Sequence, residues 1–387
     1  MSNPDVGMIL TPERFKQNYR EVKVLGEGAD GQVICYAHRA DARQQIAVKV
    51  PVVGYVKARL NLVYEIKALV EIGSCDQIIS LLGFDEYHLP HGPAIYYEYC
   101  DLGAAHHFRQ RLVEAYGSVP EETVWKMFAD LSQALDWLHN KSKNPYIHGD
   151  LKSDNVMVTS SPNQLDPRLP TFKLGDFSRA KQYTAQTRDQ LEYNGGHEFG
   201  PPHLQRIKGG VTLGLDIWNL GSMIQWFALG QFPSADFDDF IAKNPHLMPK
   251  DWTRHAIDEI KRTLLPPAVR PLNLSQEAQE RRFRFYPNQT VPPFSDKLNR
   301  WYLLCHEPDL RKRVSAKRLV KFLVPVAQRE IRILSGKRKI DEVQSKLKHL
   351  RRGARVLRAG GTGSVGMEAL SSHPPPVPAR PARRLIR

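Results

Sequence analysis

Polar side chains that could bind a metal ion follow two short apolar runs of the sequence. Asp150 and Asn155 lie in YIHGDLKSDNVMV (146–158), and Asp176 follows another apolar run in KLGDFSRA. Two aspartates and one asparagine on converging strand ends suit an octahedral Mg²⁺ that is shared with nucleotide phosphates. Aspartate and asparagine also favour turns, and a turn is the better explanation of each residue taken singly.

A glycine-rich turn, GEGADGQV, precedes these residues in the chain. Gly26, Gly28 and Gly31 fall between two alternating, strand-like runs. A hairpin of small residues lets backbone N–H groups approach phosphates. The position between two strands, without an acidic residue at the usual spacing, argues against a dinucleotide-binding fingerprint. By itself the pattern is weak, because any glycine-rich hairpin supplies it.

Lys49 lies inside the next apolar strand, IAVKV. A lysine on an edge strand commonly reaches solvent. A lysine beneath the glycine turn would instead need a carboxylate partner, because an unpaired buried cation is costly to desolvate. Glu65, on the inward side of the amphipathic helix predicted over residues 56–72, is the better candidate. Glu71, at the end of that helix, is the rival.

The elements that must position these residues fall into a β-rich part and a helical part. In the β-rich part we predict three β-rich runs within 19–50, the helix 56–72, and short strands near 78–85 and 94–99. The rest of the sequence to about 327 is predicted to be mostly helical. Within it we predict an inserted loop at 159–171 and a buried core helix at 211–232. Ligand sites favour the junction of two such parts.

The positive charge of the chain is concentrated in a tail. The net charge is +14, and residues 336–387 hold 13 Lys and Arg against 3 Asp and Glu. The basic signal therefore belongs to a disordered, Pro- and Gly-rich tail, and we expect no direct nucleic-acid function of the folded part. The segment GKRKIDEVQSKLKHLRRGAR resembles a nuclear-localisation signal, although a solvated basic tail explains it equally well.

Cysteine usage and hydropathy bear on the compartment. The four cysteines, Cys35, Cys75, Cys100 and Cys305, are scattered, which argues against a zinc site or a disulfide framework and favours a reducing compartment. We predict no signal peptide and no membrane span. The expected location is cytoplasmic or nuclear.

Near the C-terminus, PPVPAR (375–380) could form a polyproline II ligand for a partner protein, although proline-rich tails often match this pattern by chance.

The ordered set of motifs resembles a eukaryotic-type protein kinase over residues 20–325. GEGADGQV is similar to the Gly-rich loop, IAVK to the Val-Ala-Ile-Lys strand, HGDLKSDN to the catalytic loop and DFS to the metal-binding Asp-Phe-Gly motif. DIWNLG (216–221) and DLRKRVSAKRL (309–319) are similar to two segments of the kinase C-terminal lobe. Jointly these motifs are highly specific.

The resemblance implies an α+β, bilobal fold. A small antiparallel sheet with one helix forms the N-terminal lobe, and a larger, mainly helical lobe follows. The implied limits are an N-terminal extension at 1–18, a kinase domain at 19–327 (N-lobe 19–96, hinge 97–103, C-lobe 104–327) and a tail at 328–387.

The resemblance also implies a role for each candidate residue. Asp150 would act as catalytic base, and Lys152 would stabilise the transferring γ-phosphoryl group of ATP. Asn155 and Asp176 would hold Mg²⁺, and Lys49 would contact the α- and β-phosphates while it pairs with Glu65. The remaining nucleotide contacts would come from Leu25, Gly26, Glu27, Gly28, Gly31, Val33, Ala47, Glu98, Cys100 and Met157. Tyr97 would stand at the back of the adenine pocket as a large gatekeeper.

Lysine two residues after the catalytic aspartate resembles the serine/threonine pattern, so a protein Ser/Thr hydroxyl is the expected acceptor. A pseudokinase scaffold, which binds nucleotide and partners without efficient transfer, is the alternative. A small-molecule kinase is disfavoured by DIWNLG and the segment 309–319, which belong to protein kinases.

Three positions depart from the family pattern. In the family, an arginine at the position of Gly149 pairs with a phosphate on the activation segment, which here is the stretch between Asp176 and His203. Its absence suggests that phosphorylation of this segment is not required; a glycine that merely suits a tight turn is an equally good and compatible explanation. Ser178 replaces the motif glycine. In GGHEFGPPH (195–203), His203 stands where a glutamate would pair with Arg313, so a buried cation is expected to be underpaired.

Overall fold

The computed structural model describes residues 10–338, except 29–30, 53, 55, 89–91, 162–165, 249–252 and 283–289. The chain divides into two units, Met1–Ser335 and Gly336–Arg387. The proline motif 375–380 and almost all of the basic tail lie outside the described residues, as does the side chain of His203.

The N-terminal part is a five-stranded antiparallel sheet with the strand order β1-β2-β3-β5-β4. Its elements are helix α1 (Pro12–Asn18), strands β1 (Tyr19–Glu27), β2 (Gln32–His38) and β3 (Gln45–Val50), helix α2 (Val56–Ile72) and strands β4 (Leu81–Asp85) and β5 (Ala94–Glu98). Alternation of apolar and polar residues sends one set of side chains to each face of the sheet. The helix predicted over 56–72 is confirmed with the same first and last residues.

One face of this sheet is covered by the segment that precedes it. Thr11 caps α1, and Phe15 from that helix stacks on Tyr96 of β5 with ring centroids 4.5 Å apart. The backbone N–H of Leu10 donates to the carbonyl of Leu82 at 3.0 Å. Leu10 and Phe15 are both buried, so residues 10–18 complete the apolar core on this side of the sheet.

The larger part is mainly helical. Its helices are α3 (Ala105–Tyr116), α4 (Glu121–Asp136), α5 (Gly214–Leu229), α6 (Phe237–Lys243), α7 (Arg254–Thr263), α8 (Gln276–Arg282), α9 (Asp296–Cys305) and α10 (Ala316–Arg318), with residues 324–335 also helical. Wider π turns continue α4 over Trp137–Lys141 and α10 over Leu319–Leu323. Single 3₁₀ turns lie at Arg188–Gln190, His197–Phe199, His203–Gln205 and Pro245–Leu247.

Helix α5 is the predicted core helix, and every residue from Leu215 to Leu229 is buried. It packs on α4 and α9 at the centre of the large part. Gly230 ends it in the left-handed conformation (φ 70°), as a helix C-terminus favours. No helix within the described residues is long and apolar enough to cross a bilayer.

Two short pairs of antiparallel strands flank the polar stretch 148–155. Strand β7 (Val156–Thr159) pairs antiparallel with β8 (Thr171–Leu174), and β6 (Tyr146–Ile147) pairs with β9 (Lys181–Gln182). A parallel bridge joins Leu174 to Ile78, just before β4. The polar stretch 148–155 is therefore held between two strands, and the predicted α+β architecture of two unlike parts is confirmed.

Candidate active site

Lys49 lies between two carboxylates at the junction of the two parts. Its Nζ donates to Glu65 Oε2 at 2.7 Å and to Asp176 Oδ1 at 2.9 Å. Strand β3 supplies the lysine, α2 the glutamate, and the turn after β8 the aspartate. Lys49 is 8% exposed and Glu65 is fully buried, so the pair satisfies the requirement that a buried charge has a partner.

Glu71, the rival partner, is engaged elsewhere. Its Oε2 accepts a hydrogen bond from the hydroxyl of Tyr146 at 2.7 Å and another from the side-chain amide of Gln182 at 2.5 Å. The two acidic residues of α2 therefore fasten different parts of the molecule. Glu65 reaches the centre of the site, and Glu71 reaches the β6–β9 pair.

The electrostatics keep Lys49 and Asp176 charged. Burial acts to lower the pKa of Lys49, but the attraction of Glu65 and Asp176 outweighs it and raises that pKa above its ordinary value. Burial acts to raise the pKa of Asp176, but Lys49 outweighs it and holds the pKa well below its usual range. Burial raises the pKa of Glu65, and the hydrogen bonds from Lys49 and Tyr97 work against that rise.

The stretch 148–155 forms a compact polar cluster around Asp150. Oδ2 of Asp150 accepts from Lys152 Nζ at 2.9 Å and from Asn155 Nδ2 at 3.2 Å. Oδ1 accepts from the backbone N–H of Gly196 at 3.2 Å. Asn155 Nδ2 also donates to the Asp150 carbonyl at 2.7 Å, so the asparagine amide group faces Asp150.

Asn155 and Asp176 are brought together by the β7–β8 pair. Register pairs Val156 with Leu174, and the N–H of Gly175 donates to the carbonyl of Asn155 at 2.8 Å. Within the described residues, Asp176 alone among non-glycine residues has a positive φ, 56°. Such strain concentrates at functional sites. One amide oxygen and one carboxylate are hard oxygen ligands of the kind Mg²⁺ prefers.

A buried aspartate fixes the backbone at the start of the polar stretch 148–155. Asp216, near the start of α5, accepts from the N–H groups of His148 and Gly149 at 2.9 Å each, and from His139 Nε2 at 2.9 Å. Burial acts to raise the pKa of Asp216, but the hydrogen bonds from His139 and Gly149 outweigh it and keep the pKa low. The loop is thus held by an ionised carboxylate.

Gly149 adopts a conformation that glycine favours, with φ 76°. The activation segment crosses directly over it. A Cβ on Gly195 would lie 2.5 Å from the Gly149 carbonyl oxygen, too close for any side chain without a backbone shift. The hydroxyl of Tyr193 donates to the Gly196 carbonyl at 2.5 Å and closes this crossing. Two glycines therefore let two backbones touch beside Asp150.

The predicted nucleotide contacts line one region of the sheet. Register places Gly26 opposite Val33, Val33 opposite Lys49, and Ala47 opposite Tyr97. Apart from its chain neighbours, a Cβ on Gly26 or Gly28 would meet no atom of the described residues within 4 Å, so the described structure leaves space beside these glycines. Gly31 differs, since its Cβ would lie 2.3 Å from the Val50 carbonyl oxygen.

The other predicted contacts lie around that open space. Leu25 is exposed, Cys100 is buried, and Met157 forms a bridge with Ala104. The side chain of Glu27 is paired with that of Gln32. The side chain of Glu98 accepts from Lys173 Nζ at 2.8 Å and from the N–H of Ser80 at 2.7 Å, so it ties β5 to β8. Both of these bonds are made by Oε1 of Glu98.

A protein kinase domain model matches residues 19–322 of this chain. The chain belongs to the protein kinase family. The matched region contains every candidate site residue and lies within the expected domain limits 19–327.

Among curated proteins, this kinase is 25% identical to human serine/threonine-protein kinase SBK2 over 276 residues, which are 65% of this chain and 72% of that protein. It is 33% identical to serine/threonine-protein kinase GRIK2 of Arabidopsis thaliana over 141 residues, which are 34% of this chain and 32% of that protein. The second similarity therefore spans about a third of the relative.

Among solved structures, the kinase is similar to a chain in the CAK complex from Chaetomium thermophilum bound to ATP-gamma-S. The TM-score is 0.54 at 19% sequence identity, and the similarity covers 80% of this chain and 91% of that chain. This likeness supports the bilobal kinase fold, which the sequence motifs predicted.

One expected departure of this kinase takes a different form in the structure. Arg313 was expected to be an underpaired buried cation. Its Nε donates to the Glu307 carbonyl at 2.8 Å and its Nη1 to the Gly214 carbonyl at 2.9 Å, while the guanidinium lies 4.9 Å from the ring centre of Trp218. Nη2 has no hydrogen-bond partner among the described residues. Carbonyl oxygens and an aromatic face thus replace a carboxylate, and burial lowers the pKa of Arg313 to about 10.

Sequence reasoning did not assign three contributors to the site. These are the hydroxyl of Tyr97, the carboxylate of Asp216 and the glycine pair 195–196. Asp216 stood in the DIWNLG motif, but its bonds to the catalytic loop depend on the tertiary fold. The adjacent glycines were a visible signal, since paired glycines commonly mark a close backbone approach.

Proposed function

We propose that this chain is an active protein kinase that transfers the γ-phosphoryl group of ATP to Ser/Thr hydroxyls of proteins. The observation that carries the proposal is the buried lysine of β3 held between two carboxylates, Lys49 between Glu65 and Asp176. A scaffold that only binds partners would have no need of this arrangement, because a buried ion network costs desolvation free energy and contributes little to stability.

The mechanism relies on positioning and electrostatics, since phosphoryl transfer needs little covalent help from a protein. Asp150 accepts or orients the proton of the acceptor hydroxyl. Lys152, 2.9 Å from Asp150, stabilises charge on the transferring group. Lys49 neutralises charge on the α- and β-phosphates. Asn155 and Asp176 would hold Mg²⁺, which when bound neutralises phosphate charge.

A Ser/Thr acceptor is supported by two independent observations. Lys152 stands two residues after Asp150, as in the serine/threonine pattern. Several similar curated proteins are named serine/threonine-protein kinases. The alternative is a pseudokinase, and the altered segment 195–203 is the feature that favours it.

Labelled ATP, Mg²⁺ and degenerate peptide libraries test the proposal with the purified full chain. One library offers only Ser/Thr acceptors and a second only Tyr. We expect incorporation into the first, and a loss of about 10³-fold in Asp150→Ala because general-base help is removed. Asp154→Ala is the matched control, since Asp154 is four residues away and largely exposed.

Three results would contradict parts of the proposal. Equal incorporation by wild type and Asp150→Ala would exclude Asp150 as catalytic base. Incorporation into the tyrosine library alone would exclude the Ser/Thr assignment. Nucleotide binding without incorporation into either library would favour the scaffold.

We further propose that phosphorylation of the activation segment is not required. The segment is held by the Gly196 N–H on Asp150 and by the Tyr193 hydroxyl, and Gly149 offers no cation for a phosphate. Phosphatase treatment of the purified protein should leave its activity unchanged. Activity that disappears on treatment and returns on rephosphorylation would overturn this hypothesis.

A further inference from the structure

Tyr97 places a hydroxyl at the centre of the ion network. It lies on β5 and its side chain faces α2, where its hydroxyl donates to Glu65 Oε1 at 2.7 Å. Tyr97 is 5% exposed and Glu65 is fully buried. A hydrogen bond to a buried charged group is stronger than an ordinary one, and its loss leaves the acceptor short of a partner.

Three donors from three elements meet on the Glu65 carboxylate. Oε2 accepts from Lys49, and Oε1 accepts from Tyr97 and from the backbone N–H of Phe177 at 3.1 Å. Helix α2 is thereby fastened to β3, β5 and the turn after β8. Each donor restricts the rotation of the carboxylate, so that Oε2 faces Lys49.

Lys49 has a second carboxylate within reach. Asp176 Oδ1 is 2.9 Å from its Nζ, only slightly farther than Glu65 Oε2 at 2.7 Å. If the Glu65 carboxylate turned away, Lys49 would pair with Asp176 alone. That pairing would draw Lys49 away from its position for the phosphates and toward Asp176, which the proposed function needs for Mg²⁺.

We propose that Tyr97 is a positioning residue for phosphoryl transfer, whose hydroxyl fixes the Glu65 carboxylate so that Lys49 stays aligned and Asp176 stays available. The inference rests on the proposed kinase activity. On this proposal the hydroxyl of Tyr97 positions Glu65, whereas the ring of Tyr97 only fills space. Phenylalanine at this position would fill the same space but would lose the alignment.

Tyr96 is a matched control on the same strand. It precedes Tyr97 and so faces the other side of the sheet, where Phe15 stacks on it. Its hydroxyl is buried and has no hydrogen-bond partner among the described residues. Tyr96→Phe therefore removes the same atom from the same strand without touching Glu65.

Steady-state kinetics separate alignment from packing. For Tyr97→Phe we expect kcat and kcat/KM to fall together by roughly tenfold, with KM for ATP changed less than about threefold, because the lost interaction acts in the transition state. For Tyr96→Phe we expect kcat and KM within about twofold of wild type. Equal kinetics of the two variants would overturn the proposal.

A double-mutant cycle tests whether the hydroxyl acts through Glu65. In the Glu65→Gln background, adding Tyr97→Phe should change kcat by less than about twofold, since the aligned carboxylate is already absent. A full tenfold loss in that background would show that Tyr97 acts by another route and would overturn the proposal.

Amide hydrogen exchange of α2 (Val56–Ile72) gives a readout that needs no catalysis. We expect faster exchange across α2 in Tyr97→Phe than in wild type, and wild-type exchange of α2 in Tyr96→Phe. A chain that transfers no phosphate but shows this difference would refute the proposed function and retain the tyrosine–glutamate link. Wild-type exchange in both variants would refute the link itself.

Discussion

The two sides of the active site are held together in different ways. On the nucleotide side, charged side chains fasten the elements, as Lys49 bridges Glu65 and Asp176. On the substrate side, backbone atoms and glycines do so, since Gly195 crosses Gly149 and the N–H of Gly196 reaches Asp150. The nucleotide side should therefore be sensitive to loss of a charge, and the substrate side to gain of a single carbon atom.

Asp150 belongs to both sides. Its Oδ2 accepts from Lys152 and Asn155, and its Oδ1 accepts from the activation segment at Gly196. The position of the proposed base thus depends on both kinds of anchoring. The variants below perturb one side at a time, from the largest expected effect to the smallest.

Lys49→Met removes the cation of the nucleotide side. We expect phosphoryl transfer to fall by about 10³-fold, because a preorganised charge that faces the phosphates is lost. The unfolding free energy should fall by about 3 kcal/mol, because Glu65 is left buried without a counter-charge. Peptide kinetics and thermal unfolding with and without ATP·Mg²⁺ measure both effects.

Lys126→Met is the control for that loss. Lys126 pairs with the buried carboxylate of Asp130 on α4, and neither residue is among the candidate site residues. This variant should lose stability but should keep its activity and its stabilisation by ATP. Equal loss of activity in the two variants would mean that ion pairing on the nucleotide side has no special role.

Gly195→Ala adds one carbon to the substrate side. Its Cβ would lie 2.5 Å from the Gly149 carbonyl oxygen and 2.7 Å from the Tyr193 ring, so the segment must shift beside Asp150. We expect kcat/KM for a peptide to fall between about 10- and 100-fold, since small misplacements of a reacting group are costly. The affinity for ATP should be unchanged.

Gly196→Ala is the neighbouring control. Among the described residues other than its chain neighbours, its Cβ would meet only Glu198 Oε2, at 3.0 Å, and that flexible side chain can move away. The loss should be much smaller than in Gly195→Ala. The backbone-crossing interpretation fails if the two alanine variants lose activity equally, or if Gly195→Ala weakens ATP binding as much as peptide turnover.

A buried histidine beside α5, the helix that carries Asp216, should make the stability of the fold sensitive to acid. His306 packs against α5, where Ser222 Oγ lies 3.3 Å from its Nε2, and burial and Arg313 lower the pKa of His306 to about 3. Between pH 6.5 and 3 the unfolded chain binds a proton here that the folded chain does not. Stability should therefore rise with pH over this range, by about 1.4 kcal/mol per pH unit from this residue, and level off above pH 6.5.

His306→Gln should be less stable than wild type at pH 7 but should show a shallower loss of stability between pH 6.5 and 4. Denaturant unfolding at several pH values measures the slope. Exposed His246 provides the control, and His246→Gln should keep the wild-type slope. A wild-type slope in His306→Gln would exclude this residue as the source.

Gly149→Ala should have the smallest effect. The space beside Gly149 is adequate, since its Cβ would lie 3.5 Å from the Arg179 carbonyl oxygen, so the cost comes from φ 76°. We expect about 1 kcal/mol of destabilisation for alanine and less for Gly149→Asn, because asparagine tolerates the left-handed region better. Thermal unfolding of both variants checks the order, and an alanine variant more stable than the asparagine one would contradict it.

Local rules made the nucleotide side predictable. Helical spacing located α2 over 56–72, and the cost of an unpaired buried lysine required a carboxylate partner. Glu65 was preferred to Glu71 because it lies near the inward face of the helix, whereas Glu71 lies at the helix end. The fold class followed from the ordered motifs and is confirmed. The catalytic and metal-binding roles of Asp150, Lys152, Asn155 and Asp176 stay predictions until activity is measured.

The substrate side was less predictable, because its contacts join residues far apart in sequence. Gly149 drew attention as a missing arginine, yet its partner Gly195 lies 46 positions later and the contact is between backbones. The Tyr97 hydroxyl escaped for a related reason. The family pattern places Tyr97 as a large gatekeeper at the back of the adenine pocket, whereas the direction of its hydroxyl depends on the final packing of α2.

Helix α1 has a practical consequence for anyone who shortens this protein. The family match begins at Tyr19, but Leu10 and Phe15 already belong to the apolar core of the sheet. A chain trimmed to the family boundary would leave Tyr96 and its neighbours open to water, and an uncovered apolar face invites aggregation. The smallest soluble fragment should therefore begin before Leu10.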